Sequence, residues 1–413
     1  MSKVPYSLAP YPPASYPLID KARPSADWID QVRKRFPTER GWDEILTAKQ
    51  QRRAGPGYSP IAVADIVVRL EALLRHELPG PFTITDAKWL AGGASKLQIA
   101  FWLEWDKPGA GQTRERLVLR MEPPESAVET SRMREFEILG AMKGVLPVPD
   151  VYWVDADATF MQYPALICGF VNGVTKPSGA TSAVTGIGIN FGPALREPIG
   201  QQVIRDMAIM HKWDWAAAGL KSFDIPVPGT QAVEWNLNHW GRVWEEDCNE
   251  EVPLMTELLF WLKANMPPID RISLTHNDFR SGNFLFDETT QAITSWLDWE
   301  LAHLGDRHQE LGFFAVENMG HLSEDGAQLL SHGLMPIDAM LEQYERESGL
   351  SVNRRSVEYY RVFFCYRAAV IILGTCVRAA RAGKTHQDLT VAWLSGFAFR
   401  NLEEARSVVE RIG

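Results

Sequence analysis

Cysteine is scarce in this chain: four residues in 413, at positions 168, 248, 365 and 376, with no C-x-x-C pair. Their scatter excludes a disulfide framework and a clustered zinc site. A long hydrophobic run is missing too. The longest, Val362–Val377, is broken by Arg367 and is too short to span a bilayer. The opening residues, MSKVPYSLAPYPPASYP, lack the apolar core of a secretory signal. Positive charge is not in excess, since 42 Lys and Arg face 52 Asp and Glu for a formal net charge of −10. That balance argues against nucleic acid or an anionic membrane as partner. A cytoplasmic, soluble protein is the resulting expectation. Neither a Walker A loop nor a Rossmann fingerprint occurs, and D-F-G and A-P-E are absent, so a protein kinase is disfavoured.

What is present is an ordinary globular composition, 46% hydrophobic and 23% charged, in a chain long enough for two or three compact units. Against that background one stretch stands out. THNDFRSGNFLF at 275–286 places His276, Asp278 and Asn283 in an H-x-D-x-x-x-x-N pattern, and WLDWELAHLGD at 296–306 adds Asp298. Phosphoryl transfer needs those residue types: an Asp to accept the proton of an attacking hydroxyl, and an Asn and a second Asp to hold magnesium. Phe284–Phe286 and Ala292–Leu297 read as two short strands around the polar Asp287–Gln291 turn. A hairpin there returns the chain to its start, so Asn283 and Asp298 end up side by side. Both offer hard oxygen donors, which suit magnesium. Arg280 lies between Asp278 and Asn283 and is grouped with the catalytic residues, and Glu300 follows as a polar group facing the substrate.

Residues 1–57 read as an extension over the main body, with helices near Asp27–Phe36 and Trp42–Arg53 ended by Gly55-Pro56-Gly57. A nucleotide lobe is expected over 58–171. Ile66, Leu70, Leu73 and Leu74 mark an amphipathic helix there. Strands follow at Phe82–Leu90, Leu97–Trp105 and Arg116–Met121, a helix at Ser131–Met142, and strands at Val151–Val154 and Ala165–Val171. Thr175–Gly200, rich in Gly, Ser, Thr and Pro, reads as a long loop. The rest, over 172–413, is mainly helical apart from the hairpin.

In the β-rich part, Gly92, Gly93 and Ser95 lie between two strands, where glycines let backbone N–H groups approach a phosphate. Arg120 ends the third strand and Glu135 lies on the next helix, a cation and carboxylate suited to fixing the α- and β-phosphates. Arginine stays charged and presents a planar fork where lysine presents a point charge. Lys96 is a second candidate for phosphate contact.

Taken together the chain resembles the aminoglycoside phosphotransferase/choline kinase family, nearest to the phosphotransferases related to the kinase domain of acyl-CoA dehydrogenase fusion proteins. The likeness runs from Leu90 to about Ala380. It includes LAGGASKL (90–97), LVLRMEPPE (117–125), REFEIL (134–139), MHKWDW (210–215), FWLKANMP (260–267), HNDFRSGN (276–283), LDWELAHLGD (297–306) and YYRVFFCYRAAVIILG (359–374). The resemblance implies an α+β, protein-kinase-like fold with a β-rich N-terminal lobe and a mainly helical C-terminal lobe. ATP and Mg2+ follow as cofactors. It implies a hinge near Cys168 and Phe170 that reads adenine, and a bracing role for His276. The family's G-D-P-x-x-D-L ending appears here as GDRHQEL (305–311), which replaces a turn proline and lengthens a carboxylate.

The helical lobe holds Trp213, Trp215, Trp235, Trp240, Trp244 and Trp261. Trp240 and Trp244, four apart, share a helix face and are candidate substrate contacts. No dense acidic cluster suited to a polycationic antibiotic is evident. The expected reaction is therefore transfer of the ATP γ-phosphate to a hydroxyl of an apolar, aromatic or hydroxyacyl-type molecule, with Asp278 as base. The alternatives are a catalytically weak pseudokinase-like module and an aminoglycoside-type antibiotic kinase. The expected partners are a small-molecule hydroxyl substrate and, as the one macromolecule admitted, a second copy of the chain in a homodimer.

Overall fold

The Ser25 hydroxyl accepts the Trp28 N–H at 3.2 Å, which satisfies one of the free donors at a helix start, and α1 runs over Ala26–Arg35. This is a computed structural model that describes residues 19–90, 96–180, 189–384 and 388–413. Helix α2 (Arg40–Arg52) follows, and both helices dock on the helical lobe with buried polar anchors. Lys49 Nζ lies 2.5 Å from Asp247, Gln50 donates to Glu246 at 2.7 Å, and Arg242 reaches Asp43 at 2.6 Å.

In the N-terminal lobe, α3 (Val63–Glu77) buries Ile66, Leu70, Leu73 and Leu74, spaced to fall on one face. Each contributes roughly 1.5–3 kcal/mol by leaving water. The helix covers one face of an antiparallel sheet made of β1 (Phe82–Trp89), β2 (Leu97–Lys107), β3 (Gly111–Met121), β4 (Val151–Asp155) and β5 (Ala165–Gly169), in the order β1-β2-β3-β5-β4. Along β3 the period of two sends Leu117, Leu119 and Met121 under α3. Val118 turns to the opposite face with Leu166 and Cys168. Strand β3 begins at Gly111, five residues before the expected Arg116. Its polar start GQTRE pairs with the tip of β2, where Lys107 binds Glu115 at 2.6 Å. Helix α4 (Arg132–Met142), capped by Ser131, follows β3.

The C-terminal lobe corrects one expectation. The end of the Thr175–Gly200 stretch, residues 192–200, is not loop, because α5 spans Gly192–Lys212 and carries Pro198 inside it. Proline removes the N–H that would bond to Ala194 O. Gln291 Nε2 approaches that carbonyl instead, at 3.4 Å. Next come α6 (Gln231–Asp247), α7 (Pro253–Ala264) and β6 (Ile272–Thr275). The expected hairpin is β7 (Phe284–Phe286) with β8 (Ile293–Trp296), and β9 (His303–Asp306) then pairs antiparallel with β6. The β6–β9 pair closes the base of the catalytic segment, a feature the sequence reading did not include. Helix α8 (His308–Phe314) crosses a long helix so closely that a Cβ on Gly312 would lie 2.4 Å from Tyr360 Cβ. After α9 (Ile337–Ser348), that long helix starts as α10 (Arg354–Ala369), passes through π-type turns at Val370–Cys376 and ends as α11 (Val377–Arg381). Helix α12 (Asp388–Ile412) packs beside it.

Over Arg354–Arg381 the helix is continuous for 28 residues, longer than its apolar run suggests, and passes a length and hydropathy test for a membrane span. Of its apolar window 72% is buried inside the protein, which makes it a core helix of this lobe.

Candidate active site

The catalytic segment is held from both ends. Thr275 closes β6, the hairpin brings the chain back, and the Leu297 N–H donates to Asn283 O at 2.8 Å. The two expected metal ligands are therefore adjacent, as a hairpin requires. Asn277 and Asp298 both adopt the left-handed conformation, with φ of 65° and 58°, and Gly282 has φ 98°. Non-glycine residues in that region are strained and persist only where surrounding contacts enforce them.

Those contacts are visible. The Asn277 N–H donates to Glu310 Oε1 at 2.6 Å, and its side-chain oxygen accepts from Arg367 Nη1 at 2.5 Å. The lengthened carboxylate of GDRHQEL thus reaches the loop. The residue standing for the usual proline, Arg307, is buried and bonds Asp270 at 2.8 Å and the Ser351 carbonyl at 2.5 Å. Arg307 also fills the Asp270–Asp306–His308 cluster, which could otherwise be read as a cation site.

His276 is fully buried, with Nε2 2.8 Å from Leu297 O and Nδ1 facing the Asp278 N–H at 3.3 Å. That pairing assigns the proton to Nε2. Burial lowers the imidazole's pKa and outweighs the opposing pull of Asp278. A neutral His276 therefore braces the loop against the strand after the hairpin. The Asp278 carboxylate is about a quarter exposed. It accepts from Asn283 Nδ2 at 2.5 Å and Arg280 Nε at 3.1 Å. With its amide nitrogen on Asp278, Asn283 keeps its amide oxygen for another partner.

Asp298 is 39% exposed on its side chain and lies 2.7 Å from Arg120 Nη2. Burial works to raise its pKa, but the charge and hydrogen bond of Arg120 prevail and hold it below the usual carboxylate range. Arg120 also lies 3.3 Å from Glu135, so the strand cation, helix carboxylate and second Asp form one cluster. Beside it sits a buried group that the sequence reading missed. Arg132 binds Glu135, and lies 2.9 Å from Glu122 and 3.0 Å from Glu300.

Several expected site residues have other places. Lys96 is buried and directs Nζ to Glu122 at 2.8 Å, Ser126 at 3.3 Å, Val128 O at 3.1 Å and Thr130 at 3.2 Å, so its ammonium is held within that cluster. Glu300 belongs to the same charge cluster and not to a substrate face; burial, foremost, raises its pKa. Trp240 is 2% exposed in the core of the helical lobe and donates its indole N–H to Asn236 at 3.1 Å. Trp244 packs against Gly374 in the π-type turns. Their four-residue spacing gave a shared face but not which neighbour it met. Gly92, Gly93 and Ser95 lie outside the described residues. Cys168 is buried opposite Val118, with burial holding its thiol up to about 12. Phe170 stacks under Arg116 at 3.7 Å and lines a cavity of about 500 Å3 with Val171 and Asn172. The N–H groups of Gly169 and Phe170 are already committed, to Asp150 O at 2.8 Å and Arg116 O at 3.0 Å.

Arg367 is the clearest of the missed residues. It is 3% exposed, and burial lowers its pKa to about 10 despite the nearby Asp278 and Glu310. Its signal in the sequence was a charge inside the longest apolar run.

The model of the phosphotransferase enzyme family matches residues 87–333, more than half of the chain and a span that holds Arg120, Glu135, Asp278, Asn283 and Asp298. The chain belongs to the phosphotransferase enzyme family. Among curated relatives, a probable acyl-CoA dehydrogenase, IBR3, of Arabidopsis thaliana is 25% identical over 292 residues, 65% of this chain and 34% of the relative. Human acyl-CoA dehydrogenase family member 11 is 23% identical over 343 residues, 77% of this chain and 40% of the relative. The chain thus spans 34% to 40% of these two relatives. Two solved structures share the protein-kinase-like phosphotransferase fold. A candidate aminoglycoside phosphotransferase from Ralstonia eutropha JMP134 has TM-score 0.59 and 23% identity, covering 83% of this chain and 98% of that one. Plasmodium vivax ethanolamine kinase has TM-score 0.53 and 12% identity, covering 95% and 100%.

Proposed function

We propose that this member of the family transfers the γ-phosphate of ATP to a hydroxyl of an apolar, aromatic or hydroxyacyl-type small molecule, with Asp278 as base and magnesium as cofactor. One observation carries the reading. A partly exposed Asp278 carboxylate, held by Asn283 and Arg280, stands on the same hairpin-closed segment as Asp298, which meets the Arg120–Glu135 pair.

The donor set suits a small hard cation, because the Asn283 amide oxygen and the Asp298 carboxylate are oxygen ligands. When bound, magnesium supplies neutralisation of phosphate charge. The chain's own residues do the rest. Arg120, kept charged by Glu135, Asp298 and Glu300 against the cost of burial, offers a guanidinium to the phosphates. Asp278 takes the proton of the acceptor hydroxyl as its oxygen bonds the γ-phosphorus, and the bond to the ADP oxygen breaks. Arg280 and Asn283 hold the carboxylate in one orientation, so little reorganisation accompanies the step. At the hinge, the committed N–H groups of Gly169 and Phe170 leave adenine to Val171, Asn172 and neighbouring carbonyls.

The acceptor class rests on Arg280, the cation 3.1 Å from the proposed base, whose charge would oppose a polycationic acceptor. The acyl-CoA dehydrogenase relatives point the same way, toward hydroxyacyl thioesters. Four unpaired cysteines support a cytoplasmic setting. The test is magnesium-dependent ATP consumption across a panel of hydroxylated aromatics, hydroxy acids and their CoA esters, beside an aminoglycoside set. Turnover confined to aminoglycosides, or label appearing only in peptides, would overturn the acceptor assignment.

A further inference from the structure

The extension and the catalytic cluster meet at one side chain. Arg134, on α4 next to Glu135, is 2% exposed, and its guanidinium is shared between parts of the molecule far apart in sequence. Nη1 and Nη2 grip the two oxygens of Glu39, at the start of α2, at 2.7 Å and 3.0 Å. Nε donates to Ala302 O at 3.1 Å, four residues beyond Asp298, and Nη1 also reaches Ser222 O at 3.3 Å. The plane lies 3.9 Å from the Phe223 ring centre, with Trp42 of α2 at 5.5 Å. Glu39 is itself 3% exposed, and Oε1 accepts the Asp224 N–H at 2.9 Å.

We propose that the Glu39–Arg134 pair is a positioning clamp for the phosphotransfer site, through which the N-terminal segment fixes the helix of Glu135 against the segment of Asp298. Two links tie α4 to residues 298–302: Arg132 to Glu300 at 3.0 Å and Arg134 to Ala302 O. The second depends on the extension. A buried arginine keeps its fork oriented only while each face has its acceptor, and Glu39 supplies the sole carboxylate on Arg134 among the described residues. Without Glu39 the guanidinium seeks water, Nε leaves Ala302 O, and Asp298 loses one restraint on its left-handed backbone. Neither residue touches a reacting atom; both act through Glu135 and Asp298. Only the metal readout of the test below rests on the proposed magnesium role of Asp298.

The test uses the intact chain with Glu39→Ala, or the milder Glu39→Gln if the first is not recovered folded. Gln50→Leu, which loosens the same extension at its Glu246 contact away from α4, is the control. Hydrogen exchange needs no ligand. Glu39→Ala is expected to speed exchange about tenfold in α4 and residues 296–304 and to leave Gln50→Leu at wild-type rates there. Calorimetry with ADP, with and without Mg2+, is expected to show about tenfold weaker binding only in the presence of the metal. Unchanged exchange in both segments, or equal acceleration by Gln50→Leu, overturns the clamp. If wild-type protein binds ADP equally with and without Mg2+, the metal assignment fails and exchange alone decides on the clamp.

Discussion

Replacing Asp278 by Asn isolates the proposed base with little change of shape. In the structure the carboxylate accepts from two directions, Asn283 Nδ2 on one oxygen and Arg280 Nε on the other. An amide has one acceptor oxygen, so one of these donors must face an NH2 group or swing away. The Arg280 link is the weaker anchor, since both side chains are about a quarter exposed, and its loss costs about 0–1 kcal/mol of stability. Loss of a positioned base costs far more in rate, about 10²- to 10⁴-fold. At about 1.4 kcal/mol per decade that is about 3–5 kcal/mol of barrier. The group proposed to face the phosphates, Arg120 with Glu135 and Asp298, is paired within itself and not with residue 278. ADP affinity should therefore stay within about threefold of wild type, since a residue acting only in the transition state leaves ground-state binding alone. The assay pairs turnover on an acceptor from the panel with calorimetry of ADP and a melting curve. A variant that keeps turnover within tenfold of wild type refutes the base, and a loss seen wholly in ADP affinity moves Asp278 into the binding site.

Three further outcomes follow from particular contacts. Lys96→Met should leave ADP affinity unchanged while destabilising the protein by about 3 kcal/mol, because Glu122 loses one buried cation and keeps Arg132; a selective loss of nucleotide binding in calorimetry would restore Lys96 to the phosphate site. Glu310→Ala strands the buried Asn277 N–H at about 1–3 kcal/mol and should lower turnover more than ADP affinity; denaturant titration and steady-state kinetics check both, and normal turnover would mean the loop needs no brace. Acid stability should report the buried histidines. Burial, foremost, lowers His303 to about 4 and His332 to about 3. The unfolded chain binds these protons near pH 6.5, so the stability is whole above that pH and is lost as pH falls toward about 4, by up to about 2–3 kcal/mol per pH unit for two protons. Glu246 and Glu300, raised by burial, act in the opposite sense and lessen the slope. A flat unfolding free energy between pH 6.5 and 5 contradicts the assignment.

What could be read in the sequence was whatever physics writes locally. The loop at 276–283 and the hairpin after it carry their chemistry and turn signals within thirty residues, and the structure brings Asn283 beside Asp298 as that reading requires. The α3 stripe was legible for the same reason. Errors came where one local cue outweighed tertiary context. Pro and Gly suggested a loop up to Gly200, yet Gln291 makes Pro198 tolerable inside α5 from ninety residues away. Four-residue spacing placed Trp240 and Trp244 together, but only packing shows that their face is core. Lys96 and Glu300 lie close in sequence to phosphate and metal motifs, and their buried partners at 122, 126 and 132 are not deducible from spacing.

The charged residues that organise the site were the least legible, and the reason is general. Arg and Glu are exposed in most positions, so nothing local marks Arg134 or Glu39 as buried. Burial takes both inside at once, because neither is tolerable there without the other. The same holds for Arg367, a break in an apolar run by sequence and the holder of Asn277 in space. A buried cation in this protein is thus informative in proportion to how poorly its own neighbourhood explains it. Arg134 shows such a discrepancy on both sides, with partners 95 residues before it and 168 after it. That separation is why the extension belongs to the working structure of the enzyme and not to its periphery.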